Sequence, residues 1–271
     1  MRRRLVALVL VGGLTLALTP AVGASSHTNA QVTVVHGIPD VTVDVYVNNE
    51  RILSGFQFGT VTDPLSLAAG SYSIAIRPAG ADPASQPILS ATAELAAGQN
   101  VSLVAHLTAD GQPALRAFVN DTSALNAGKA RLTVRHTAAA PTVDILAGDT
   151  RLVTNLSNPN ESKADVDAGT YSVSIAPAGQ ASAVFGPLDL TLNAGTNYIV
   201  YAVGSLQQNN FRLLIQQIHG LGGGPSGAAT GMGGSGQGAT APWGLGLFAL
   251  AAFGLFLVSR AALSRARAPR A

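Results

Sequence analysis

The chain has 271 residues, of which 47% are apolar and 11% charged, with no cysteine. That composition supports a buried core and excludes a solvating disordered chain, while the missing cysteines exclude disulfides, thiol chemistry and thiolate metal sites. The net charge of +2 hides an uneven distribution: seven arginines lie at Arg2, Arg3, Arg4, Arg260, Arg265, Arg267 and Arg270, leaving nine Lys and Arg against all fourteen Asp and Glu between Asp40 and Asp189, a balance of minus five. A mildly anionic central region has no basic stripe for phosphates, so nucleic acid is not an expected partner.

At the start, Arg2 to Arg4 precede an apolar run over residues 5–18 and the small residues Val22-Gly23-Ala24. This order predicts a secretory signal peptide over residues 1–24, with an uncleaved anchor helix as the alternative.

The segment 32–47, V-T-V-V-H-G-I-P-D-V-T-V-D-V-Y-V, returns one hundred residues later. Residues 131–153 align on 31–53 without a gap and pair Thr33 with Thr133, His36 with His136, Asp44 with Asp144 and Arg51 with Arg151. Within the first copy, Val43, Val45 and Val47 alternate with Thr42, Asp44 and Tyr46, a period of two that predicts a strand with an apolar and a polar face. Further short strands are expected at 51–54, 64–68, 71–77, 90–95, 101–108 and 114–119. They are separated by turn chemistry at Ala69-Gly70, Pro78-Ala79-Gly80, Ala97-Gly98-Gln99-Asn100 and Asp110-Gly111. Seven or eight such strands in about ninety residues indicate an Ig-like antiparallel β-sandwich.

The second copy keeps this punctuation. Ala168-Gly169-Thr170-Tyr171 repeats Ala69-Gly70-Ser71-Tyr72, Pro177-Ala178-Gly179 repeats Pro78-Ala79-Gly80, and the offset falls from 100 to 99 and then 97. The deletions therefore sit in connections, where a sandwich tolerates them. The fold class expected is all-β: two tandem antiparallel sandwiches over 31–120 and 131–218, joined by a linker over 121–130 that allows modest relative motion.

Residues 220–241 form an uncharged Gly-rich tract with the character of a flexible stalk, whose reach is about 25 Å. Residues 242–259 are uncharged and apolar, begin near Trp243 and are followed by the arginines of 260–271. A helix of that length spans about 28 Å, close to the bilayer core. The positive-inside rule then puts the tail in the cytoplasm and the repeats outside, as a single-pass type I membrane protein. The order of spacer, apolar span and basic tail also looks like a bacterial sorting signal. No L-P-x-T-G motif precedes the span, so a retained helix is expected, with C-terminal processing to the cell wall as the alternative.

The motif of residues 32–47, the A-G-x-Y strands that end in P-A-G, and the later Ala97-Gly98 and Ala194-Gly195 turns resemble the DUF4397 domain, a bacterial secreted module often found in tandem. Copy one has Val41 where the family favours proline, and copy two replaces Pro39 and Asp40 with Ala139 and Ala140. The resemblance implies a β-sandwich at the cell surface and no assigned activity.

The repeated ionisable residues are His36 with Asp44 and His136 with Asp144. Imidazole and carboxylate are good metal ligands, but two per repeat fall short of the three or four zinc requires. The plainer expectation is structural: each histidine closes the first strand by hydrogen-bonding backbone. His106 has no counterpart in the second copy. No G-x-S-x-G elbow occurs, and Glu50, Glu94 and Glu161 do not recur between copies, so neither a serine triad nor a glycosidase pair is expected. Acidic turns at Pro39-Asp40 and Asp165-Val166-Asp167 do not match a calcium loop, and Tyr46 is the one candidate for stacking on a sugar. The sequence thus predicts no enzyme, no cofactor and no metal. It points to a membrane-anchored surface module that binds an envelope polymer, glycan or surface protein, with a passive spacer as the alternative and a metal-dependent enzyme as the least favoured reading.

Overall fold

The computed structural model describes residues 28–222. The expected signal peptide, nearly all of the Gly-rich stalk, the apolar span and the basic tail lie outside the described residues. Among the described residues no helix is long and apolar enough to cross a membrane.

All regular structure here is β. The first copy contains β1 (Asn29–His36), β2 (Val43–Val47), β3 (Glu50–Phe56), β4 (Leu65–Ala68), β5 (Gly70–Pro78), β6 (Leu89–Leu95), β7 (Asn100–Leu107) and β8 (Pro113–Val119). The second contains β9 (Lys129–His136), β10 (Val143–Ala147), β11 (Thr150–Leu156), β12 (Glu161–Asp167), β13 (Gly169–Pro177), β14 (Phe185–Leu192), β15 (Asn197–Val203) and β16 (Arg212–Ile218). Strand orders are β4-β1-β7-β8 and β3-β2-β5-β6 in the first copy, and β12-β9-β15-β16 and β11-β10-β13-β14 in the second. Every neighbour relation is thus reproduced eight strands later.

The sheets are not wholly antiparallel. β1 runs parallel to β7, with His36 opposite Ala105, and β9 parallel to β15, with His136 opposite Ala202. The chain makes β2 and β3 in the other sheet, returns for β4, and crosses again for β5 and β6. It therefore re-enters beside β1 in the same direction, a crossover that period-two patterning alone cannot reveal.

Alternation on β2 places Val43, Val45 and Val47 in the first core, with Val32, Val34, Ile74, Ile76, Val101 and Leu103. The opposite face of β2 departs from expectation: Asp44 is 2% and Tyr46 3% exposed, because loops and long side chains fold over it. The second core repeats the first with Leu132, Val134, Val143, Ile145, Ile175 and Val200.

β7, β9 and β15 are buried along nearly their whole length, a pattern that requires cover on both faces. The cover is the other copy. Val35, Val104 and Phe118 of the first copy join Ile199, Tyr201, Val203 and Leu214 of the second in a third apolar cluster, so the two inner sheets pack back to back within one compact unit. At about 1.5–3 kcal/mol per large apolar side chain removed from water, this seam opposes independent motion of the copies. The connector adds to it: Leu125 is buried, and Asp121 pairs with Arg131 and Lys163 at 2.8 and 3.1 Å. The ten-residue segment expected to act as a linker is a docked strap.

Candidate functional site

The four repeated residues do not converge on a common ligand position. Each serves its own copy. His36 closes β1, and its Nε2–H donates to the Val41 carbonyl at 3.0 Å while the Ile38 N–H approaches Nδ1 at 3.4 Å. The His36 ring stacks on Phe56 with centroids 5.6 Å apart. His136 repeats the first contact, donating from Nε2 to the Pro141 carbonyl at 2.8 Å, but its buried Nδ1 has no partner. Burial lowers both histidine pKa values, against the opposing effect of the carbonyl each ring donates to.

Asp44 reaches across its loops. Its carboxylate accepts the Gly55 N–H at 2.8 Å, the Gly80 N–H at 3.1 Å and the Arg51 guanidinium at 3.3 Å. Burial alone would raise its pKa, but the two backbone donors and Arg51 outweigh that and hold it below the ordinary 3.8. Asp144 is equivalent: the N–H groups of Asn155 and Gly179 at 2.8 and 2.9 Å lower its pKa, burial opposes them, and Arg151 assists. A carboxylate that ties its own strand to the next strand and to the turn after β5 or β13 is a staple, and both of its oxygens are already engaged. Among the described residues no three His, Asp or Glu side chains are grouped as a metal site would need.

Tyr46 is buried, with the Arg77 guanidinium 4.7 Å from its ring centroid, so it offers no face for a sugar. His106 lies in the seam layer, where register matches it to Val203. Its Nδ1–H donates to the Leu107 carbonyl at 2.8 Å. Burial lowers its pKa, the carbonyl opposes this, and the charges of Arg116 and His136 lower it further.

The seam itself carries a polar chain. Arg135, 1% exposed, donates to Glu161 and to the Tyr201 hydroxyl, each at 2.9 Å, and lies 4.4 Å from the Phe118 ring centroid. Tyr201 donates to Gln216 at 2.6 Å, and Gln216 then meets Ser102 at 2.8 Å and Thr33 at 3.1 Å. The contacts are reciprocal, with β8 meeting β9 and β16 meeting β1, as a two-fold pseudo-symmetric packing demands.

At one end of the seam lies a groove of about 620 Å³. Its walls are the β7–β8 turn with Leu107, Asp110 and Gly111, the β9–β10 connection at Ala139 to Pro141, and the β15–β16 loop with Ser205, Gln207 and Gln208. The walls are braced from inside. The Ala139 N–H donates to the Gly204 carbonyl and Leu206 N–H to Ala139, while Gly204 N–H bonds Gly37 across the seam. Gly204 sits at φ +78°, and a Cβ there would stand 2.6 Å from the Asn210 carbonyl oxygen, so the loop accepts only glycine. Asn158 donates to the carbonyls of Leu107 and Ala138 at 2.8 and 2.7 Å beneath the groove.

The described chain ends at the opposite pole. Leu125 N–H bonds the Leu221 carbonyl, Leu221 N–H bonds Gly195, and Leu125 bridges Gly222. The seven residues of β16 separate exit from groove by about 23 Å at strand rise. Sequence reasoning named Asp110-Gly111 only as a turn and Ala139 and Ala140 only as departures from the family motif, and it placed no groove residue in a site. The groove residues come from connections far apart in the chain, and only the packing of one copy on the other unites them.

Among known proteins, residues 30–146 match the family model described as a domain of unknown function, DUF4397. The match runs through the first copy and connector into β9 and β10. No curated protein matches the sequence.

Proposed function

From a DUF4397 domain repeated in tandem, we propose a non-catalytic binding module that is anchored in the membrane by its C-terminal apolar span and carries its ligand groove at the pole away from that anchor. The observation that carries this reading is the groove between the copies. Its volume lies in the ordinary range of ligand sites, its walls are braced by internal hydrogen bonds, and its available side chains are amides, a hydroxyl and one carboxylate. No Lys or Arg lines it, so it suits a neutral, hydroxyl-rich ligand such as an uncharged envelope glycan. The commitment of His36, Asp44, His136 and Asp144 to their own backbone leaves the repeated ionisable residues as scaffold.

Co-sedimentation of the purified protein with isolated cell-wall polymer, with and without EDTA, tests the reading. Saturable, EDTA-insensitive binding that the double variant Asp110→Ala/Gln208→Ala weakens about tenfold is expected, since losing two solvent-accessible polar contacts at about 0.7 kcal/mol each has that scale. Binding that survives the variant unchanged would place the site elsewhere. Absence of binding would favour a passive spacer, and EDTA sensitivity a metal-dependent role.

A further inference from the structure

Three arginines are buried among the described residues: Arg77, Arg131 and Arg135. Arg131 pairs with Asp121 and Asp165, and Arg135 with Glu161. Arg77 takes part in no ion pair among the described residues, and burying a guanidinium without a counter-charge is costly. Its Nε–H donates to the Ser85 carbonyl at 3.0 Å and its plane lies against Tyr46, but Nη1 has no partner. Neither does the Tyr46 hydroxyl, nor the Ser85 hydroxyl. One guanidinium nitrogen and two hydroxyls, on residues in contact through Arg77 and each shut off from solvent, therefore keep protons to donate, and although the hydroxyls could also accept, none of the three bonds another. The nearby carboxylate of Asp44 is already held by Gly55, Gly80 and Arg51.

The second copy lacks the charged and the aromatic member of this constellation. Tyr46 corresponds to Leu146 and Arg77 to Ala176, while the connection between Pro177 and Val184, three residues shorter than that between Pro78 and Ile88, keeps a serine at Ser182. Loss of the guanidinium together with the phenol beside it is the pattern of one site present in one copy and absent from the other.

We propose that Arg77, Tyr46 and Ser85 form a binding site for a small monovalent anion, of halide size, beneath the 79–87 loop of the first copy. A guanidinium supplies charge and directed N–H groups, and two hydroxyls complete the shell. Closure of all three polar atoms from solvent favours an ion no larger than chloride over a phosphate or sulfate. The bound ion fastens the loop, through Ser85, to β5 and β2.

The test uses the full chain in detergent micelles, with chloride exchanged for gluconate at constant ionic strength, read by thermal melting and by chloride-35 NMR line width. Wild type is expected to melt higher in chloride, saturably, and to broaden the chloride line. Arg77→Met should abolish both effects, and Tyr46→Phe, which keeps the ring against the guanidinium, should weaken the apparent affinity about tenfold. The Tyr46→Phe arm decides the matter should Arg77→Met fail to fold. No chloride response in wild type, or an equal response in Tyr46→Phe, overturns the proposal.

Discussion

The two copies share every strand neighbour and both loop staples, yet they diverge on the faces that meet. Where the first copy presents Val35, Ser102 and Val104 to the seam, the second presents Arg135, Ile199 and Tyr201. Small side chains on one face receive large ones from the other, so each copy is fitted to its partner and not to a duplicate of itself. The outer edges differ too. β6 lies against β8 in the first copy, whereas in the second an apolar crevice opens between β14 and β16, leaving Leu188 41% and Ile215 39% exposed. Duplication preserved the inside of each sandwich, and specialisation went to the outward surfaces.

Breaking the specialised side of the seam should have the largest effect. Arg135→Ala removes a buried cation together with its contacts to Glu161, Tyr201 and Phe118, and should cost about 3 kcal/mol in urea unfolding, since the partners lose a buried charge and gain nothing. Val35→Ala, at the matching position of the first copy, should cost about 1–2 kcal/mol. If the copies unfolded independently, Arg135→Ala would split the transition in two. A shared seam predicts a single transition displaced as a whole.

Next come the matched histidines. His36 has both ring nitrogens engaged and a stacked Phe56, whereas His136 has one nitrogen engaged and the other orphaned. His36→Ala should therefore cost about 3 kcal/mol and His136→Ala about 2 kcal/mol. Both pKa values, and that of His106, are lowered from the ordinary 6.5. A lowered histidine pKa means the unfolded chain takes up protons that the fold refuses. Stability should be full above pH 6.5, decline as pH falls below it toward the folded values, and decline less steeply in His36→Ala. Asp44 and Asp144, lowered from 3.8, add a second step: their contribution holds above that value and fades as pH drops through the folded pKa values. Equal acid-limb changes in Asp44→Asn and Asp144→Asn would confirm that the two staples are the conserved half of the comparison.

Much of each sandwich was legible because its signals are local. Period-two valines fixed β2, and Ala-Gly and Pro-Ala-Gly turns bounded β5 and β13 within about a residue. Three things were not. The parallel pairing of β1 with β7 depends on which sheet the chain re-enters. The burial of Asp44 and Tyr46 depends on loops folding over a face that alternation marks as polar. The groove depends on Asp110 and Gln207 meeting across nearly a hundred residues of sequence. One clue to the seam was present: β15 reads as an unbroken apolar run, Tyr198 to Val203, which a sheet wetted on one side would not carry; β7, where Ser102 and His106 interrupt the apolar residues, gave no such signal.

The smallest effects concern the residue after each histidine, Gly37 and Thr137. A Cβ at Gly37 would stand 2.8 Å from Val203 Cγ1 and 3.1 Å from the Ala105 carbonyl oxygen. Val203 is β-branched and fully buried, so it yields poorly, and Gly37→Ala should cost about 1–2 kcal/mol by overpacking. Thr137 occupies the same place in the second copy, where its hydroxyl donates to the Ala202 carbonyl at 2.8 Å. Thr137→Ala should cost about 1 kcal/mol, the worth of one buried hydrogen bond. The two losses differ in kind, and a third variant separates them. Val203→Ala in the Gly37→Ala background should recover part of the first loss, because it clears the methyl that the new Cβ meets, while the same change added to Thr137→Ala should simply add. Additive behaviour in both backgrounds would mean that the new Cβ is resisted by the Ala105 carbonyl and not by Val203, and that the seam at this point is not close-packed.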